Sequence, residues 1–192
     1  MSDNTTSIVL AGVGGQGILL ASSITAKAAM IAGFEVKMNE VHGMAQRGGS
    51  VIAQIRYGKN VHSPLVEEGT AKVLASLEQI EAIRFAHYLS PDGLAVVSTQ
   101  MIVPVTVSMG SGKYPQDAKQ RIEKIFKNLI VVDAIGKANT LGNIKIANVV
   151  ILGAISRGLD LPLDAWYEAI KSTVRDKFAD MNIQAFEAGR NS

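Results

Sequence analysis

Two clusters in the first fifty residues carry groups able to handle an anion or a proton. The first, Gly12, Gly14, Gly15, Gln16 and Gly17, ends the apolar run Ile8-Val-Leu-Ala. Glycine lets bare backbone approach a ligand, and a helix that begins on glycines presents unpaired amide N–H groups and the positive end of its dipole to a phosphate or carboxylate. The second cluster is Glu40, His42 and the run Gln46-Arg47-Gly48-Gly49. Arg47 could clamp an anion with two parallel bonds, and His42 could move a proton or donate to an oxyanion. Each cluster also has an uneventful reading. The glycines could form a tight crossover without a ligand, Arg47 could pair with Glu40 or with an acid on a partner chain, and His42 could cap a strand end.

These groups need elements to hold them. Ser7–Ala11 reads as a buried strand and Ile18–Ala32 as a helix, apolar nearly all round, that Gly33 ends. Phe34–Val41 reads as a second strand, which makes a right-handed parallel crossover. Ligands of open α/β sheets sit beyond the carboxyl ends of the strands, so the glycine turn and the His42–Gly49 loop are expected side by side there. Further along, Ser50–Tyr57 alternates like a half-exposed strand, and Gly58-Lys59-Asn60 turns it back toward Val61 as a short hairpin at the sheet edge. Ala71–Ser76, Leu94–Ser98 and Leu129–Asp133 read as strands, and Ile102–Ser108, which contains Pro104, as an edge strand or extended connection. Helices are expected over Leu77–Leu89, stopped by Ser90-Pro91-Asp92-Gly93, and over Pro115–Asn128, Ile144–Leu159 and Asp164–Arg175, with a weakly helical tail around Ile183–Ala188. The alternation predicts one domain over residues 1–192, a three-layer Rossmann-like α/β fold whose sheet is mostly parallel with room for a mixed edge. The apolar helices at Ile18–Ala32 and Ile144–Leu159 suggest partner chains.

Composition narrows the chemistry. Apolar residues make up 47% of the 192 and charged ones 19%, enough for one sizeable core. A net charge of +2 without a basic stripe argues against nucleic acid and against an anionic membrane surface. The polar start, Met1–Thr6, and apolar stretches too short to span a bilayer make a cytoplasmic protein the expectation. With no cysteine there can be neither a disulfide nor a cysteine-held iron–sulfur cluster in this sequence. Three scattered histidines and no acidic pair at ligand spacing predict no metal site. Gly-x-Ser-x-Gly, Walker and Gly-Asp-Gly signatures are absent. Glu40 falls near where a dinucleotide-binding acid would stand, so a stand-alone NAD-type module remains an alternative, as does a purely structural scaffold.

Ile8-Val-Leu-Ala-Gly-Val-Gly-Gly-Gln-Gly17 resembles the start of the gamma-type domain of the 2-oxoacid:ferredoxin oxidoreductases. Asn39-Glu40-Val41-His42-Gly43-Met44-Ala45-Gln46-Arg47-Gly48-Gly49-Ser50-Val51 is similar to the indolepyruvate branch of that family. Shorter matches continue through Leu141-Gly142-Asn143, Asn148–Ala154 and Ala185–Arg190. The resemblance implies a non-cluster subunit, inactive alone, of an enzyme that oxidatively decarboxylates indolepyruvate or other arylpyruvates to acyl-coenzyme A. It further implies thiamine diphosphate, magnesium and iron–sulfur clusters in a larger alpha subunit, and ferredoxin as the electron acceptor through that subunit. Coenzyme A would be shared between subunits. On the same resemblance Gly12, Gly14, Gly15, Gln16, Gly17, Gln46, Gly48 and Gly49 are expected at the cofactor side, and Glu40, His42 and Arg47 at the active-site border.

Overall fold

The computed structural model describes residues 5–43, 49–103, 107 and 114–192. A six-stranded sheet divides the described residues into two packed faces. Its strands are β1 (Thr6–Val13), β2 (Glu35–His42), β3 (Ser50–Gly58), β4 (Ala71–Ser76), β5 (Leu89–Ser98) and β6 (Leu129–Val132), in the order β2-β3-β1-β4-β5-β6. β3 runs antiparallel to both β2 and β1, and the pairings β1–β4, β4–β5 and β5–β6 are parallel. The sheet is therefore mostly parallel with a mixed edge.

Seven α-helices flank it among the described residues: α1 (Ile18–Ile31), α2 (Gln79–Arg84), α3 (Ala118–Ile125), α4 (Ala134–Thr140), α5 (Ala147–Ile155), α6 (Leu163–Thr173) and α7 (Ala179–Arg190). Strand alternation sends Ile8, Leu10, Ala53, Ile55, Val73 and Val96 toward α1, α5, α6 and α7. The opposite set, Val9, Ile52, Leu74, Ala95 and Val97, meets Ala82 of α2 and Ile122 and Phe126 at α3.

Several expectations change. Ser50–Tyr57 is no half-exposed strand; it lies between β2 and β1 and is buried along nearly all its length. Its polar face is covered by the segment after it, where Gln54 Oε1 accepts the Val66 N–H at 2.8 Å and Arg56 donates to the Ser63 carbonyl at 3.0 Å. Its hairpin partner is β2, the strand before it, and not Val61. The run Ser90-Pro91-Asp92-Gly93 does not only stop a helix: it opens β5, whose pairing with β4 shifts register between Ala71 and Val73. The helix before it is short, with Glu78 accepting from the N–H groups of Ile80 and Glu81 at its start. α4 was unexpected, and α7 is longer than the weak pattern around Ile183 implied. Most of Ile102–Ser108 lies outside the described residues.

The apolar run of α5 is explained within the chain, where every residue from Asn148 to Ile155 is buried. α7 covers it at a contact where Gly153 faces Phe186 and Gly189 faces Val150, so closely that a Cβ on either glycine would overlap the facing carbonyl oxygen. No helix among the described residues is long and apolar enough to cross a membrane.

Candidate functional site

The sheet order sets where a crevice opens. From β1 the chain leaves through α1 toward β2 at one edge, and from β4 it leaves through α2 toward β5 on the other side. These opposite departures part the connections beyond the carboxyl ends of β1 and β4, the place where open α/β sheets bind ligands. Here it is a cleft of about 540 Å³, with Gly14–Gly17 on one wall, Leu77 and Gln100 at the strand ends, and Ile144, Lys145 and Asn148 opposite.

The glycine turn is built by its side-chain neighbours. Gly15 and Gly17 have φ of 99° and 79°, a left-handed backbone that costs other residues about 1–2 kcal/mol. A Cβ on Gly17 would lie 2.6 Å from Asn148 Nδ2, the atom that donates to the Gly17 carbonyl at 3.0 Å. A Cβ on Gly12 would lie 2.7 Å from Gln16 Oε1. That oxygen accepts the Val13 N–H at 2.8 Å, while Gln16 Nε2 donates to the Leu77 carbonyl at 2.7 Å and to Gln100 Oε1 at 2.8 Å. One amide therefore ties together the ends of β1, β4 and β5. α1 begins at this turn with no side-chain cap and no acid in its first turn. Its positive end is thus left to whatever enters the cleft.

The second cluster meets the first through main chain. The Gly14 N–H donates to the Gly49 carbonyl at 2.8 Å, and Gly43 pairs with Ser50 at 2.8 Å, which pins both ends of the loop beside the turn. Gln46, Arg47 and Gly48 lie outside the described residues. Glu40 and His42 share the face of β2 that looks toward α1. Glu40 Oε1 accepts the Ser22 hydroxyl at 2.6 Å, and its Oε2 lies 3.9 Å from His42 Nε2. His42 is half exposed and lines, with Gly14, Gly15, Gly17 and Leu19, a second hollow of about 360 Å³ on the other side of the turn. The dinucleotide geometry is not reproduced, because β3 separates β2 from β1 and Glu40 is engaged by α1.

Sequence reasoning missed several residues here. Asn148 is the most legible in retrospect: an amide inside an apolar helical run must find a partner once buried, and it finds the turn. Glu78 gave no comparable signal. Buried, it accepts at Oε1 from the Ile102 N–H at 3.2 Å and the Tyr114 hydroxyl at 2.5 Å. Burial and this carboxylate together hold the Tyr114 hydroxyl protonated far above the usual phenol range. Among the described residues no three His, Asp or Glu side chains stand together as metal ligands.

Residues 7–192 match the protein family described as pyruvate ferredoxin/flavodoxin oxidoreductase. Indolepyruvate oxidoreductase subunit IorB of Pyrococcus horikoshii is 42% identical over 187 residues, spanning 95% of this chain and 93% of that one. Pyruvate oxidoreductase subunit PORC of Thermotoga maritima superimposes with a TM-score of 0.75 at 24% identity, covering 98% of this chain and 96% of its own. The 2-oxoglutarate:ferredoxin oxidoreductase of Magnetococcus marinus, solved with 2-oxoglutarate, coenzyme A and succinyl-CoA, superimposes with a TM-score of 0.71 at 20% identity. It covers 97% of this chain but only 30% of that longer one.

Proposed function

This chain belongs to the pyruvate ferredoxin/flavodoxin oxidoreductase family, and we propose that it is the small subunit of an indolepyruvate-type 2-oxoacid:ferredoxin oxidoreductase that presents coenzyme A to the reacting acyl group. The overall reaction joins the acyl carbon to the coenzyme A sulfur, releases CO2 and a proton, and passes two electrons to ferredoxin. Thiamine diphosphate and iron–sulfur clusters supply the carbanion and electron chemistry from the larger subunit. This chain has no cysteine to hold a cluster and no Gly-Asp-Gly signature for thiamine diphosphate.

The uncapped start of α1 in the switch-point cleft carries the reading. Coenzyme A is a polyanion with a long, mostly neutral arm. The main-chain N–H groups of Gly15, Gly17 and the first turn of α1 suit its phosphates, and Lys145 adds a cation on the opposite wall. Leu77, Ile144 and the side of Leu20 give the arm an apolar path. Gly12 and Gln16 hold the turn, and Gly49 fixes it to the second loop. Glu40 and His42 border the side that faces the acyl group; Arg47 is assigned a role with them, and Gln46, Gly48 and Gly49 a role on the coenzyme A side. A cytoplasmic location goes with this role.

The test is reconstitution of the co-expressed subunits and assay of viologen reduction dependent on indolepyruvate and coenzyme A. Activity should require this chain. Substituting Gly15→Val, which places a branched side chain in the cleft mouth, should raise the KM for coenzyme A about tenfold or more and leave that for indolepyruvate unchanged. Full activity without the chain would overturn the proposal.

A further inference from the structure

Among the described residues, α1 and α5 are the two helices that are apolar nearly all round, and of these α5 is covered on every side. α1 packs against α6 on its inner flank, where Lys27, its only charged residue, donates to the Ser172 carbonyl at 3.0 Å. On the other flank the sheet ends with β2. The two elements run in opposite directions, locked by the Ser22–Glu40 bond. One helical turn advances about 5.4 Å and two strand residues about 6.6 Å. Leu19, Ser23 and Met30 therefore form a row along β2, with Met38 beneath it. Leu19 is 48% exposed, Met30 62% and Met38 40%, and Val41 on the reverse side of β2 is 53% exposed. The row of Leu19, Ser23, Met30 and Met38 holds no charge, while β2, an eight-residue edge strand with no proline, carries the ion pair Glu35–Lys37 near its start, so the uncovered apolar part is the row and not the charged start of the strand.

We propose that the outer flank of α1 and the free edge of β2 form the docking face for the larger subunit of the oxidoreductase, an inference that rests on the function proposed above. Two observations choose this occupant. The row begins at Leu19 in the second hollow, which also holds His42 and one side of the glycine turn, so a chain seated on it covers the border assigned to the acyl group. In the 2-oxoglutarate enzyme the same fold is 30% of a longer chain, so there it is joined to further polypeptide. Of the other exposed apolar residues, Val131 lies in β6, three strands from β1, and Ile125 ends α3, whereas Ile144 belongs to the wall of the switch-point cleft and not to this row. The partner surface is apolar and uncharged at its centre.

The experiment compares co-expressed complexes carrying Met30→Glu with Met38→Glu against Ile125→Glu with Val131→Glu. All four positions are exposed, and circular dichroism checks that each variant folds. The first pair should weaken assembly at least about 30-fold and the second less than about threefold. In the wild-type complex, hydrogen exchange should slow in residues 35–42 relative to the chain alone, a readout that needs no variant. An assembled complex indifferent to the first pair, with no added protection over β2, would overturn the docking face and leave the proposed function standing. A wild-type chain that assembles with no larger subunit overturns both. A chain that instead dimerises through this face, and is dispersed by the first pair, assigns the face to a second copy and overturns the proposal.

Discussion

Replacing Gly17 by alanine tests whether the glycine turn is held by Asn148 or merely tolerates it. The backbone at Gly17 has φ of 79°, so alanine there costs about 1–2 kcal/mol in conformational strain. Its Cβ would also lie 2.6 Å from Asn148 Nδ2 and displace the amide from its 3.0 Å bond to the Gly17 carbonyl, a loss of about 0.5–1.5 kcal/mol for a buried pair. The sum is about 1.5–3.5 kcal/mol. Gly15 has an equally unusual φ of 99°, yet nothing lies within 4 Å of a Cβ placed there. Gly15→Ala therefore carries the strain alone, and the offset of about 0.4–1 kcal/mol from the stiffer unfolded chain applies equally to both variants. For a chain of this size each kcal/mol moves Tm by about 2–4 °C. Gly17→Ala should melt several degrees below Gly15→Ala in paired thermal and urea scans. In an Asn148→Ala background the added cost of Gly17→Ala should fall to the strain term, a coupling of about 0.5–1.5 kcal/mol. Equal costs at the two glycines, or additivity with Asn148→Ala, would refute the assignment of Asn148 as the clamp on this turn.

Gly153→Ala and Gly189→Ala should each cost more than about 3 kcal/mol, because the added methyl meets a backbone carbonyl across the α5–α7 contact and the helices must separate; the chain should melt early or fail to accumulate as folded protein. Ser22→Ala removes the donor to Glu40 Oε1 and should cost about 1–2 kcal/mol in urea unfolding, while Ser23→Ala on the exposed flank should be neutral within about 0.5 kcal/mol. Burial pushes the Tyr57 phenol up to about 12. Above the unfolded value near 10 the unfolded chain loses that proton and the folded one keeps it, so stability should fall as pH rises from about 10 to 12. Tyr57→Phe should flatten that alkaline limb, as followed by unfolding at fixed pH, and a wild-type limb that Tyr57→Phe leaves unchanged would assign it to other groups.

The parts of the site that could be read from the sequence are those where geometry demands one residue type. Gly15 and Gly17 occupy left-handed backbone, and the expectation that the turn and the second loop open together is met by the Gly14–Gly49 bond. What could not be read depends on contacts that local periodicity does not encode. Gln54 and Arg56 give β3 the look of a half-exposed strand, but main-chain groups of residues 63–66 pair with the Gln54 oxygen and one Arg56 terminal nitrogen and cover that face, so the strand can lie inside the sheet. The same insertion moves Glu40 one strand away from where a dinucleotide acid would stand. In α7, Gly189 weakens the helical signal taken alone, and its use appears only when Val150 is seen across from it. Ile144–Leu159 looked like a surface for another chain because its cover, α7, lies thirty residues further on.

The polar contacts around Gln16 also bear on how the cleft recognises its ligand. An unprotonated amide has one oxygen and two N–H donors, and here the oxygen accepts from Val13 while the nitrogen reaches Leu77 and Gln100. Both N–H donors of that side chain are committed, so it has none to offer an anion unless the turn comes apart, and its work is to hold backbone in place. Recognition of an anion then falls to the main-chain N–H groups at the start of α1, whose positions are fixed by Gln16 on one side and Asn148 on the other. Main-chain donors read the phosphate group and not the molecule that carries it. Selectivity among phosphorylated ligands must come from the walls, where Lys145 and the apolar side chains of Leu77 and Ile144 meet the rest of the molecule. On the proposed function, the turn would meet the phosphates of coenzyme A and these walls the remainder of that molecule, so exchanging Lys145 or Ile144 should change selectivity among phosphorylated ligands without unfolding the turn.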